Sequence, residues 1–137
     1  MFKDEGYQLM GAAFEVYNQL GYGMAEEVYQ QSLEIELELR QIPFQTKAEL
    51  VMSYKTRELL TKYKPDLFVF DAIVVELKAV SALQPEHEAQ LFNYMRIARQ
   101  PVGYLINFGK KGKLEWMRII LSDLHDGEKR IRNTDLH

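Results

Sequence analysis

The sequence predicts an α/β sandwich, a mixed sheet covered by helices, and three observations carry the prediction. Two stretches of helical periodicity open the chain, a run of short apolar, β-branched segments follows, and a third helical stretch interrupts that run before its last two members. The succession helix, helix, strands, helix, strand, strand is that of an α/β sandwich built on a mixed sheet.

Each element has its own warrant. Residues 4–19 place Leu9, Ala12, Ala13, Val16 and Tyr17 at helical spacing, with Leu20 next, and the glycines at 21 and 23 end the helix. A second helix is expected from residue 24 to about 40, with Val28, Leu33, Ile35, Leu37 and Leu39 as its apolar surface. Its "LEIELEL" alternates like a strand, but Glu and Leu are strong helix formers, which decides for helix. "QIPF" stops it. Strands are then expected at residues 44–53, 59–63, 67–70 and 73–77, with "YKTR" and "FDA" as hairpin tips. "QPEHEAQLFNYMRIAR" reads as a helix with Pro85 near its first turn and Leu91, Tyr94, Met95 and Ala98 on one side. "VGYLINF" and "LEWMRIIL" are two further strands around a basic "GKKGK" turn.

A chain of 137 residues suits one domain with a proper core, expected over residues 1–121, with a polar tail over 122–137 that is a short helix or disordered. Cysteine is absent, so neither disulfides nor thiolate metal sites are available. No stretch approaches the ~18 apolar residues of a membrane span, and the first residues lack a basic segment followed by an apolar run. A soluble, cytoplasmic protein is the expectation. The net charge of −3, taken alone, argues against nonspecific binding of nucleic acid. The charge is unevenly spread, however: residues 1–38 carry eight acids against Lys3 alone, which leaves 16 bases and 12 acids for the rest. A solvated helical face accounts for such a split without any function.

The stretch "PDLFVFDAIVVELKAV", residues 65–80, is apolar and strand-like yet holds Asp66, Glu76 and Lys78, besides an Asp71 that a turn explains. In a buried sheet each unpaired charge costs on the order of several kcal/mol. Alternate strand residues share a face, so Glu76 and Lys78 project together with Val74 beside them. A three-residue loop at 70–72 would pair Val69 with Ile73 and bring Asp66 opposite Glu76, whereas a two-residue loop would put Asp66 on the other face. Two carboxylates brought together in an apolar sheet repel each other unless a cation lies between them, and a hard, oxygen-liganded ion such as Mg²⁺ or Mn²⁺ suits them. Lys78 would then stand beside that ion, able to orient or polarise a water. The plainer alternative is a strand with one solvated face, on which Glu76 and Lys78 are ordinary exposed residues and Asp66 belongs to a turn.

Several motifs in order resemble a known family. Gly23, Glu26 and Tyr29 in "GMAEEVY", Pro65-Asp66 followed by Glu76-Leu77-Lys78, and Gln90 with Tyr94 in "HEAQLFNYM" resemble the PD-(D/E)XK nuclease superfamily. Within it they are similar to the GxxExxY proteins and to the Q-x-x-x-Y helix of the RecB-like branch. "GYLINFG" at 103–109 and the strand with Arg118 resemble the family's C-terminal part, so the likeness runs over about residues 5–121. It implies a restriction-endonuclease-like fold, a mixed β-sheet flanked by helices, and a metal-dependent nuclease. It also implies that Asp66, Glu76 and the main-chain carbonyl of Leu77 hold Mg²⁺ or Mn²⁺. Glu26 would add a further acidic group, directly or through water.

The residues have readings of their own beside the resemblance. Glu26 and Tyr29 share one helix face near an N-terminus that favours a carboxylate, and Tyr29 is read as packing. His87, Gln90 and Tyr94 form one helical stripe, on which Gln90 can hold a water or a phosphate oxygen, Tyr94 can meet the substrate backbone and His87 is a further candidate for substrate binding. Otherwise Tyr94 is core and His87 surface. Substrate charge would be met by Lys110, Lys111 and Lys113, with Lys55, Arg57, Lys62 and Lys64. Nucleic acid is the expected partner, DNA before RNA, with no membrane, and a homodimer through the apolar first helix is a further option. The rival reading is a noncatalytic interaction module or subunit that keeps the nuclease fold, supported by net acidity and small size. "HEAQL" lacks the second histidine of a zinc protease, and "GYGMAE" lacks the last glycine of a dinucleotide fingerprint.

Overall fold

A computed structural model describes residues 1–121 and the backbone of 131–133. The rest of the expected tail, 122–130 and 134–137, lies outside the described residues. The chain opens with α1 (Lys3–Leu20) and α2 (Glu26–Leu39). At the end of α1, Gly21 takes a φ of 68° and returns its N–H to the Tyr17 carbonyl, a conformation that glycine reaches without strain. In α2, Leu33 and Leu37 are fully buried while Ile35 and Leu39 are exposed, so the strand-like alternation belongs to a helix with one buried side.

Then come β1 (Phe44–Thr46), β2 (Leu50–Tyr54), β3 (Arg57–Tyr63), β4 (Leu67–Val69) and β5 (Ile73–Lys78), followed by α3 (Pro85–Ala98), β6 (Val102–Asn107), β7 (Glu115–Ile120) and β8 (Ile131–Asn133). The main sheet has the order β1-β4-β5-β6-β7-β8. Its β5–β6 pair is parallel and is bridged by α3; the other pairs are antiparallel, which makes the sheet mixed. One expectation is corrected. The single strand expected over 44–53 is broken at Lys47, whose positive φ of 55° turns the chain out of the main sheet. In consequence β2 and β3 pair only with each other, as a separate hairpin.

Strand alternation divides the interior into two layers. Ile73, Val75 and Leu77 face α1 and α2 together with Tyr104 and Ile106. Val74, Leu105 and Ile119 face α3 and the hairpin, against Leu91, Phe92, Met95, Met52 and Tyr63. Close approach of α3 depends on Gly103, since a Cβ there would lie 2.3 Å from the Met95 sulfur. On β5 the second layer begins with Val74 and continues into Glu76 and Lys78, so the two charges lie on the α3 side. Among the described residues no helix is long and apolar enough to cross a membrane.

Candidate functional site

The turn between β4 and β5 sets the geometry. Phe70 and Asp71 both adopt left-handed conformations, with φ of 57° and 53°, and the Ala72 N–H donates to the Val69 carbonyl at 3.1 Å. Val69 pairs with Ile73 and Leu67 with Val75, the register of the three-residue loop, and one step further back Asp66 stands opposite Glu76. Two hydrogen bonds fix the pair. The Leu77 N–H donates to Asp66 Oδ2 at 2.8 Å, and the Asp66 N–H donates to Glu76 Oε1 at 3.1 Å. From α2, the buried Gln30 side chain donates to the Asp66 carbonyl at 3.0 Å.

Burial, and after it the nearby Asp66 charge, pushes the Glu76 carboxyl up to about 7. Hydrogen bonds from the Tyr63 hydroxyl, at 2.9 Å, and from the Asp66 N–H act in the opposite sense, as does the charge of Lys78. Burial and the Glu76 charge in turn raise the Tyr63 phenol far above its ordinary range, which keeps it a hydrogen-bond donor. Its ring stacks on Tyr94, with centroids 4.3 Å apart and planes at 16°.

Around these groups opens a cleft of about 320 Å³. Glu76 and Lys78 of β5 meet Gln90 and Tyr94 of α3 across it, and Lys62 and Lys64 line it from the hairpin side. The Gln90 amide donates to the Tyr94 hydroxyl at 3.3 Å. Asp66 itself is buried, and its Oδ1 is ion-paired with Lys47. Burial disfavours the Lys47 ammonium, but the hydrogen bond to Asp66 and the charges of Asp66, Glu76 and Glu27 outweigh that and raise its pKa. Sequence reasoning missed Lys47 and Tyr63. Nothing in the local pattern marks Lys47, because its placement depends on the chain reversal after β1; Tyr63, at the end of a strand two residues before Pro65-Asp66, had a positional signal.

Other expected residues lie elsewhere. Glu26 is exposed at the start of α2, and among the described residues no three His, Cys, Asp or Glu side chains are grouped closely enough to hold a metal ion. Glu26 thus does not join Asp66 and Glu76 as a direct third acid, although Gln30, one turn further along α2, reaches the Asp66 carbonyl. Tyr29 is packing, as expected: fully buried, stacked on Phe108 at 4.7 Å, its hydroxyl donating to the Gly21 carbonyl at 2.5 Å. His87 does not line the cleft; its Nδ1 accepts from the Gln84 N–H at 2.9 Å and caps α3. Lys110, Lys111 and Lys113 sit in the β6–β7 turn, where the Lys110 carbonyl accepts from the Tyr17 hydroxyl at 2.6 Å, and none of the three lines the cleft.

The donor set fits a divalent cation. Two carboxylates are held together by one strand pair, one of them raised by burial and by the other, a repulsion that a divalent cation between them would relieve; Lys47 already offsets part of the charge on Asp66. Mg²⁺ commonly takes one or two carboxylates and completes its shell with water and substrate oxygens, so a third acid is not required. A family model described as the PD-(D/E)XK nuclease superfamily matches residues 3–119. No curated protein matches the chain.

Proposed function

Because the chain belongs to the PD-(D/E)XK nuclease superfamily, we propose that it is a metal-dependent nuclease that hydrolyses phosphodiester bonds, in DNA before RNA. The observation that carries this reading is the apposition of Asp66 and Glu76 across β4 and β5, with Lys78 on the same face. The finer likeness, to GxxExxY proteins with a Q-x-x-x-Y helix, is part of the same proposal and is supported by Gln90 and Tyr94 facing Glu76 and Lys78 across one cleft.

Asp66 and Glu76 would hold Mg²⁺ or Mn²⁺ with the main-chain carbonyl of Leu77. The Leu77 N–H donates to Asp66, and the carbonyl of a strand residue points to the same side as its N–H. The ion, when bound, supplies Lewis-acid polarisation of the scissile phosphate and a water of lowered pKa. The remaining tasks fall to the chain's own groups. Tyr63 and the Asp66 N–H both bind Glu76 Oε1 and so hold that carboxylate in one orientation. Lys78 orients the attacking water from beside Glu76. Gln90 and Tyr94 position the substrate backbone, and Lys62 and Lys64 meet its charge. Glu26 takes part only through water.

The test is cleavage of single-stranded, double-stranded and branched DNA, and of RNA, with Mg²⁺ or Mn²⁺, comparing wild type with Glu76→Ala and Lys78→Ala. Metal-dependent cutting that falls by on the order of a hundredfold or more in both variants is the expected result. If wild type behaves like the variants, and calorimetry detects no Mn²⁺ binding, the reading fails and the noncatalytic interaction module takes its place.

A further inference from the structure

On the other side of the sheet, between α1 and strands β6 and β7, lies a larger cavity of about 510 Å³. It shares no lining residue with the cleft. Its walls are apolar and aromatic: Met10 and Phe14 come from α1, and Tyr104 and Trp116 from the sheet, stacked with centroids 5.9 Å apart and planes at 14°. Gly6 makes this wall possible, since a Cβ there would lie 1.9 Å from the Tyr104 hydroxyl and would displace that ring from beneath the helix.

The charges that line the cavity are all positive: Lys3, Arg40 and Arg118. Arg118 is 6% exposed; its Nη2 donates to the Met1 carbonyl, and its Nε has no hydrogen-bond partner among the described residues. No acid pairs with it among those residues either. A buried guanidinium with no counter-ion among the described residues is costly in packed core, and this one lines a cavity. Lys3, which is the single base among the first 38 residues, also lacks an acidic partner among the described residues. Arg40 is paired through Nε with Glu36 at 2.7 Å, while its Nη1 lies 3.0 Å from where a Cβ on Gly11 would stand. The α1–α2 half of the chain is acidic, yet the cavity against α1 has an excess of positive charge and an aromatic wall.

We propose that this cavity binds a small organic anion with a flat ring, its phosphate or carboxylate on Arg118 and its ring against Tyr104, Trp116 and Phe14. A volume of this size is ordinary for small-molecule sites, and the guanidinium fork of arginine suits either anion. Two sources present the chemistry, a nucleoside monophosphate and an aromatic carboxylate. The site does not depend on the nuclease reading.

Isothermal titration of the full chain with deoxyadenosine 5′-monophosphate and with 2-naphthoate tests the proposal, with deoxyadenosine and inorganic phosphate as the separated halves of the first. At least one of the two anions is expected to bind, at least about tenfold more tightly than either half, and which one binds identifies the source. Arg118→Met should weaken it by about tenfold or more, Arg118→Lys by less because the charge remains, and Gly11→Leu should fill the cavity and abolish binding. Thermal melting of each variant shows that the fold is retained. The proposal is overturned if neither anion binds wild type, if a half binds as tightly as the whole, or if a folded Arg118→Met or Gly11→Leu binds as wild type does.

Discussion

A carboxyl at position 76 with a pKa near 7 keeps its proton in the folded chain at pH values where the unfolded chain has lost it. Between the ordinary glutamate value and about 7 the folded state binds more protons, so stability falls as pH rises through that window and levels off above it. Glu76→Gln removes the penalty. Without added metal it is expected to raise stability at pH 8 by at most on the order of 3 kcal/mol and to change little at pH 4. Urea denaturation at the two pH values measures this, and equal effects at both would assign the change to packing. Tyr63 acts on the same proton from the other direction, because its hydroxyl favours ionised Glu76. Tyr63→Phe should move the acid limb of the metal-dependent cleavage profile to higher pH by about one unit, and an unmoved limb would remove Tyr63 from the site. Asp66, Glu76 and Lys78 were legible in the sequence because charge is expensive in an apolar strand and alternation says which residues share a face. Lys47 was not, since its contact with Asp66 is made by a left-handed backbone step that no residue preference announces.

At the scale of elements, most of the fold could be read: three helices, the two hairpin tips and the strand order along the chain follow from periodicity and turn residues. Two readings stayed open or went wrong for a common reason, namely that backbone direction is decided by single residues at positive φ. At the β4–β5 turn, residue types allowed a two- or a three-residue loop; with Phe70 and Asp71 both left-handed, the pairing of Val69 with Ile73 is that of the longer one, which brings Asp66 to Glu76. At Lys47 the same conformation divides one apparent strand into β1 and β2. The turn supplies a prediction of its own. Asp71 is exposed, its side chain accepts among the described residues only a long 3.4 Å bond from Gln45, and its conformation is one that glycine adopts freely. Asp71→Gly should stabilise the protein by about 0.5 kcal/mol, read as a higher denaturation midpoint, with the register and metal binding retained. A lower midpoint would show that the Gln45 bond or the flexibility of the unfolded glycine chain outweighs the relief of strain.

For the whole molecule, the net charge of −3 is a poor guide to the cleft because the charge is unevenly placed. The acids of the first 38 residues belong to α1 and α2, which cover one face of the sheet, while the cleft on the other face is lined by Lys62, Lys64 and Lys78. Sequence alone could count these bases but not sort them, since only the fold takes the β2–β3 hairpin to the cleft and leaves the β6–β7 turn against Tyr17. Lys62 pairs with Glu58 at 2.8 Å and Lys64 with Glu49 at 3.6 Å; both bridges are solvent-accessible, so each holds its lysine weakly and a phosphate can replace the carboxylate. Each lysine that neutralises a phosphate steepens the fall of log affinity with log salt by about 0.9 on duplex DNA. The double variant Lys62→Ala, Lys64→Ala is therefore expected to flatten that slope by nearly two units, measured by fluorescence anisotropy in the cleavage-deficient Glu76→Ala background. Neutralising Lys110, Lys111 and Lys113 together should leave the slope unchanged. The opposite ordering would mean that the duplex runs past the β6–β7 turn, beyond the end of β5, and that the hairpin lysines serve only to position the chain that carries Tyr63.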